Sequence, residues 1–193
     1  MKSKITIYTM LFALFATCAI AQDNGEEMSE EDKNWMEYMT PGDMHKMMAS
    51  WDGEWTETIT MWMDPEAPPT KSEASCVNRM IMGGRYQESI HTGNFGGMPF
   101  EGRSTVGYDN AMNKFVSTWV DNMGSGIMYM EGEWDDKTNS ISFAGTAIDP
   151  TSGEKMDVEE TFRVVDDNTQ EMEMYMVVND EKIKTMEIVF KRK

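Results

Sequence analysis

Few residues in this sequence could carry chemistry. It holds two histidines, His45 and His91, and two cysteines, Cys18 and Cys76, against 34 acidic side chains and 22 methionines. Catalysis by a Ser-His-Asp set would have to use one of those histidines, and no G-x-S-x-G, H-E-x-x-H or G-x-x-x-x-G-K-[ST] motif is present. His91 precedes "TGNFGG", where a strand is expected to end, and so reads as an exposed residue. The acidic turns "DDKTN" and "DPTSGE" lack the ligand spacing of a Ca²⁺ loop. No catalytic residue and no cofactor is therefore expected. Were there an activity, the acid or base would be His91 or an inward-facing carboxylate.

Methionine supplies the other candidate chemistry. Thioethers are soft ligands suited to Cu(I), and "MHKMM" brings Met44, His45 and Met48 together on what should be one helix. The pairs in "MWM", "MIM", "MYM" and "MEMYM" would place two thioethers on one strand face about 6.5–7 Å apart. Yet from Gln22 onwards the sequence contains no leucine. Methionine thus takes the place of leucine as core filler or as the lining of a malleable pocket, and a Met44, His45, Met48 metal site is the alternative reading. Five further residues are candidate ligand anchors wherever strand alternation turns them inward: Arg85 and Tyr86 in "GGRYQES", Arg103 in "FEGRSTVGYDN", and Trp119 with Asp121 in "STWVDN". An arginine inside an apolar cup would need an acid or an anionic ligand group as counter-ion.

The elements that must position these residues are legible from composition and period. Lys2 and Lys4, an apolar run, and Ala19-Ile20-Ala21 describe a secretory signal peptide cleaved near Ala21, which implies a periplasmic or secreted protein. Cleavage removes Cys18, so Cys76 has no partner for an intramolecular disulfide and reads as a small buried residue. The net charge of −17, more negative still once the leader is gone, disfavours nucleic acid and anionic membranes. After a flexible acidic tail over 22–28, one domain is expected over 29–193. It opens with two short helices (29–52). Ser29 and Asp32 begin the first; Thr40 as cap and Pro41 as first helical residue begin the second. Met44, Met47, Met48 and Trp51 share one helical face.

From Glu54 the period becomes two. Strands are expected near 54–63, 72–82, 84–92, 98–107, 113–121, 126–134, 139–147, 155–165, 170–178 and 182–192, separated by Gly-, Pro-, Asn- and Asp-rich turns. Ten strands with short connections make an all-β, antiparallel up-and-down barrel, in which closure removes exposed edges. In "WDGEWTETITMWM", Trp55 should share a face with Ile59, Met61 and Met63, and Trp62 should point the other way.

A helix, then "GEW", then a strand resembles the opening of lipocalin-like, or calycin, barrels. That resemblance implies that Trp55 closes the barrel floor with Arg192, from the end of "MEIVFKRK", packed over it. From about Met44 to Lys193, "WDGEW", "PPTKSE", "MGGRY", "TVGYDNAMNKFVSTWVDNM", "YMEGEWD" and "KRK" resemble domain of unknown function 1579, a bacterial family without an established role. The family's usual placement among calycin-like barrels implies the same fold. The expected function is a non-catalytic barrel that binds a small apolar or amphipathic ligand, with no membrane span. A filled structural barrel, a copper-binding protein and an enzyme are the alternatives.

Overall fold

The computed structural model describes residues 28–63 and 67–193. The expected leader (1–21) and all but Met28 of the acidic tail lie outside the described residues. Two helices, α1 (Glu30–Met39) and α2 (Asp43–Ser50), precede ten strands. These are β1 (Gly53–Met61), β2 (Thr70–Ile81), β3 (Tyr86–Phe95), β4 (Met98–Asp109), β5 (Lys114–Asp121), β6 (Met128–Asp135), β7 (Ser140–Ile148), β8 (Lys155–Asp166), β9 (Thr169–Val178) and β10 (Glu181–Arg192). Each strand pairs antiparallel with its sequence neighbours, and β1 pairs with β10, so the sheet is a closed barrel. The expected all-β up-and-down architecture is what forms.

Local signals explain the helix ends. Ser29 Oγ accepts from the Asp32 N–H at 3.1 Å, and three acids fill the first turn of α1, where the helix dipole favours them. The second helix begins later than expected. Thr40 instead ends α1, its hydroxyl donating to the Met36 carbonyl, while Gly42 precedes α2 and donates its N–H to His45 Nδ1 at 3.0 Å. Turn residues match their geometry: Gly96 and Gly97 both have positive φ in the tight β3–β4 hairpin, and Asn113, Asn139, Asn179 and Asp180 occupy the left-handed region elsewhere.

Strand alternation divides the barrel wall into an inside and an outside. Trp55 and Glu57 of β1 are buried in the lumen, and Ile59 and Met61 follow on the same face. Met63, expected there too, lies beyond the strand and is exposed. Trp62 points outward, and Lys184 Nζ sits 5.3 Å from its ring centroid. Helix α2 covers the lower end of the barrel. There Met48, Trp51, Phe115, Met130, Ile141 and Phe143 form one buried cluster, and Trp55, Cys76, Met172, Ile188 and Phe190 form a second beside it. Each such side chain contributes about 1.5–3 kcal/mol by leaving water.

The floor is closed as the resemblance implied. Trp55 is fully buried, and Arg192 Cζ lies 4.3 Å from the centre of its ring. The guanidinium also donates to the Asp52, Ser50 and Asp167 carbonyls at 2.6, 2.8 and 3.0 Å. A side chain at position 53 would collide with it, since an added Cβ would lie 2.9 Å from Arg192 Nη1 and φ is +134°. Glycine is thus required there twice over, by space and by backbone. Among the described residues, no helix is long and apolar enough to cross a membrane.

Candidate functional site

Inside the barrel, three neighbouring strands bring together three side chains that could do chemistry. On β1, Glu57 follows Trp55 by one alternation. Cys76 of β2 stands directly across from Trp55, and His91 of β3 directly across from Cys76. Glu57 Oε1 lies 2.7 Å from His91 Nδ1, and Cys76 Sγ lies 3.8 Å from His91 Nε2. Glu57 is 2% exposed and Cys76 1%, so both sit in the wall's dry layer. His91 is therefore not the exposed strand-end residue the sequence suggested. β3 continues to Phe95, and alternation from buried Gln87 and Ser89 turns His91 inward.

The polar residues of these strands have two tiers of work. In the lower tier, Asn78 Nδ2 donates to the Trp51 carbonyl, and Gln87 Nε2 donates to the Met48 carbonyl at 2.6 Å and to Asp52 Oδ1 at 3.0 Å. These bonds add side-chain donors at the end of α2, where the Met48 carbonyl otherwise has the Trp51 cap N–H. Above them stands the Glu57–His91–Cys76 cluster. The Cys76 thiol donates to Asn78 Oδ1 at 2.9 Å, which ties the two tiers together.

Order alone would suggest a nucleophile, a base and an orienting acid. The electrostatics oppose that use. Burial first, and then the Glu57 charge, push the Cys76 thiol far above its ordinary value, against a smaller lowering by the Ser89 hydroxyl. The reactive thiolate is disfavoured, and the thiol proton points to Asn78 and not to His91. The geometry suits holding a polar group or a cation better than attacking a carbonyl.

Of the five candidate anchors, two face the lumen. The ring of Trp119 lies across Gly102, where an added Cβ would come within 2.5 Å of it, and meets His91 edge-on at 5.1 Å. Its Nε1 donates to Asp121 Oδ2 at 2.7 Å, while Asp121 Oδ1 accepts from the Met123 and Gly124 N–H groups. Trp119 thus walls the cluster, and Asp121 fixes both that ring and the turn beyond it. The three others are on the outer surface. Arg103 is exposed and pairs with Glu101 of its own strand. Arg85 donates to the Met39 carbonyl at 2.6 Å, and Asn110 donates to three more carbonyls at the end of α1. Arg85 and Tyr86 border an external groove of about 420 Å³ between α1 and β3–β5, and line no lumen. Arg103→Ala is accordingly expected to change unfolding free energy by less than about 0.5 kcal/mol. Arg85→Ala should cost about 1 kcal/mol and raise amide exchange in α1, measured by hydrogen exchange.

The helical residues proposed for copper have structural duties. His45 Nδ1 is engaged by Gly42, burial holds its imidazole below the ordinary value, and Met48 is fully enclosed in the core. Further up the lumen, Glu160 of β8 stands across from Phe143 and Met174. Burial raises its carboxyl to about 7, and what accessibility it retains is to the lumen.

Sequence reasoning missed Glu57 and Glu160 and misplaced His91. A signal was available: Glu57 shares the parity of Trp55, Ile59 and Met61, and Glu160 that of Met156, Val158 and Phe162.

Comparison with known proteins agrees with the fold. The model of the family "Protein of unknown function (DUF1579)" matches residues 40–192, and the chain belongs to that family. The crystal structure of Rv2717c from M. tuberculosis is similar, with a TM-score of 0.59 at 11% identity over 80% of this chain and 99% of that one. A redesigned β-barrel, b11L5F_LGL, aligns with a TM-score of 0.41 at 12% identity, over 76% and 94% of the two chains. No curated protein matches the sequence.

Proposed function

We propose that this protein is an exported, non-catalytic barrel that takes a small apolar or amphipathic molecule into the half of its lumen away from the helices. The observation that carries this reading is a gradient of burial along the inner wall. Near the helices, Met48, Trp55, Phe115, Met130 and Ile141 are 0–2% exposed. Toward the far rim, Ile59, Met61, Met156, Met174, Met176 and Met186 face inward and remain partly accessible, while Val158 among them is buried. Flexible thioethers around an open cup adapt to the shape of an apolar guest.

The polar groups on that wall select the guest's head. Glu160 presents its carboxyl oxygens there, whereas Glu57 is enclosed and bonded to His91, and the arginines that would have received a fatty acid are on the outside. A hydrogen-bond donor such as an amine or alcohol fits these acceptors, and a carboxylate is repelled. Thermal unfolding with a C12 amine, C12 alcohol and C12 carboxylate tests this. The amine or alcohol at a hundredfold excess over its Kd should raise Tm by roughly 5–10 °C, with the carboxylate giving less. No shift across the three, together with no small molecule retained in native mass spectrometry of protein from its own host, would overturn the proposal. Leader cleavage near Ala21, read by N-terminal sequencing of that same sample, tests export.

A further inference from the structure

We infer that Glu57, Cys76 and His91 form a site for a borderline-soft divalent cation of the Zn²⁺ class. The inference goes beyond the guest-binding reading and does not depend on it. Three observations carry it. First, one carboxylate oxygen, one sulfur and one imidazole nitrogen lie within 4.8 Å of one another; drawing in by about 1 Å, with a turn of the His91 ring that now meets Glu57 through Nδ1 and Cys76 through Nε2, brings them to the roughly 3.3–3.8 Å donor spacing of a tetrahedral ion. Second, the donors come from consecutive strands of a closed wall, Cys76 and His91 as a directly opposed pair and Glu57 one step along β1. Ladder hydrogen bonds on both sides fix their backbones, so the three side chains are held as neighbours before any ion arrives.

Third, the surroundings supply the parts such a site needs. A buried carboxylate calls for a compensating positive charge, and a divalent cation would neutralise Glu57 while displacing the Cys76 thiol proton to solvent and binding the resulting thiolate. Trp119, packed edge-on against His91, shields the imidazole on one side. Sulfur, nitrogen and oxygen in one set favour Zn²⁺ or Co²⁺ over Ca²⁺ and Mg²⁺, which take oxygen ligands. With three protein donors, the fourth position is left for a solvent molecule or a guest.

Cobalt is the probe that separates this from a merely buried polar cluster. Reduced protein, stripped with EDTA and dialysed, is titrated anaerobically with Co²⁺ and followed by absorbance. The expected result is one Co²⁺ per chain, intense d–d bands of a tetrahedral centre, a near-ultraviolet thiolate-to-cobalt band, and loss of all three signals when Zn²⁺ is added. Cys76→Ser should abolish the thiolate band. Glu57→Gln and His91→Ala should each weaken binding about 10–100-fold, and Met44→Leu should leave it unchanged. Far-ultraviolet circular dichroism identifies any variant that fails to fold. The wild-type titration stands without the variants: a folded protein with no thiolate-to-cobalt band at millimolar Co²⁺ overturns the inference, as does a band that survives in Cys76→Ser.

Discussion

Trp55→Ala should lower the free energy of unfolding by about 3–5 kcal/mol. The magnitude follows from what the indole does. It is fully buried, so its removal sacrifices the transfer energy of a large ring and opens a void at the barrel floor. It also removes one contact from each of two partners. Its Nε1 donates to the Trp51 carbonyl at 3.0 Å, and the guanidinium of Arg192 stacks on its face. Neighbouring side chains cannot collapse into the space easily, because β1, β2 and β10 are held in register on both sides. Guanidinium unfolding monitored by circular dichroism measures the loss, and a change below about 1 kcal/mol would refute the floor-plug role. Arg192→Met, which keeps the stem but removes the three carbonyl contacts, should cost about 2 kcal/mol by the same assay.

Glu160→Gln should act in the opposite direction, and only above a certain pH. Burial raises the folded-state value of this carboxyl to about 7, from 4.5 for an unperturbed glutamate. The folded chain therefore holds the proton more tightly than the unfolded one. Stability associated with this group is fully present below about 4.5, declines as pH rises to 7, and stays low above that. Glutamine imitates the protonated state at every pH. The variant should match the natural chain near pH 4.5 and exceed it near pH 8 by up to about 3 kcal/mol, the most that a shift of this size permits. Water in the lumen reduces the figure. Comparing the two chains at each pH cancels the contribution of the remaining acids, which a net charge of −17 makes large. Equal pH profiles for the two chains would mean that the Glu160 carboxyl is as well hydrated as one on the surface.

The fold was legible because its signals are local and repeated. Alternation on each strand, with Gly, Asn or Asp between strands, sufficed to count ten, and Gly53 followed by Trp55 located the floor. Boundaries were harder. The helix start shifted from Thr40 to Gly42, because the threonine hydroxyl found the Met36 carbonyl behind it, while His45 reached back to Gly42. The site was the least legible part, for reasons that lie in what one chain segment can reveal. Arg85 and Arg103 drew notice because cations are scarce, yet Arg85 caps a helix remote in sequence and Arg103 pairs along its own strand. Glu57 drew none, because a single glutamate among 34 acids carries no mark of burial. Its importance arises only when the register sets Cys76 opposite Trp55 and His91 opposite Cys76. That is a property of three strands, and no window along one strand contains it.

The β1–β10 seam has a consequence for how the molecule comes into being. Every other pairing in the barrel joins strands adjacent in sequence, but the seam fastens Arg192 to Asp52, 140 residues away. Hairpins from β2 to β9 can zip up one after another, whereas β1 waits with an open edge until β10 has been made and has curled around to meet it. Closing so long a loop carries the greatest entropic penalty of any step and slows folding. During that wait the bare edge invites pairing with another chain. The contact that seals the finished barrel therefore also sets how long the unfinished one remains vulnerable to aggregation.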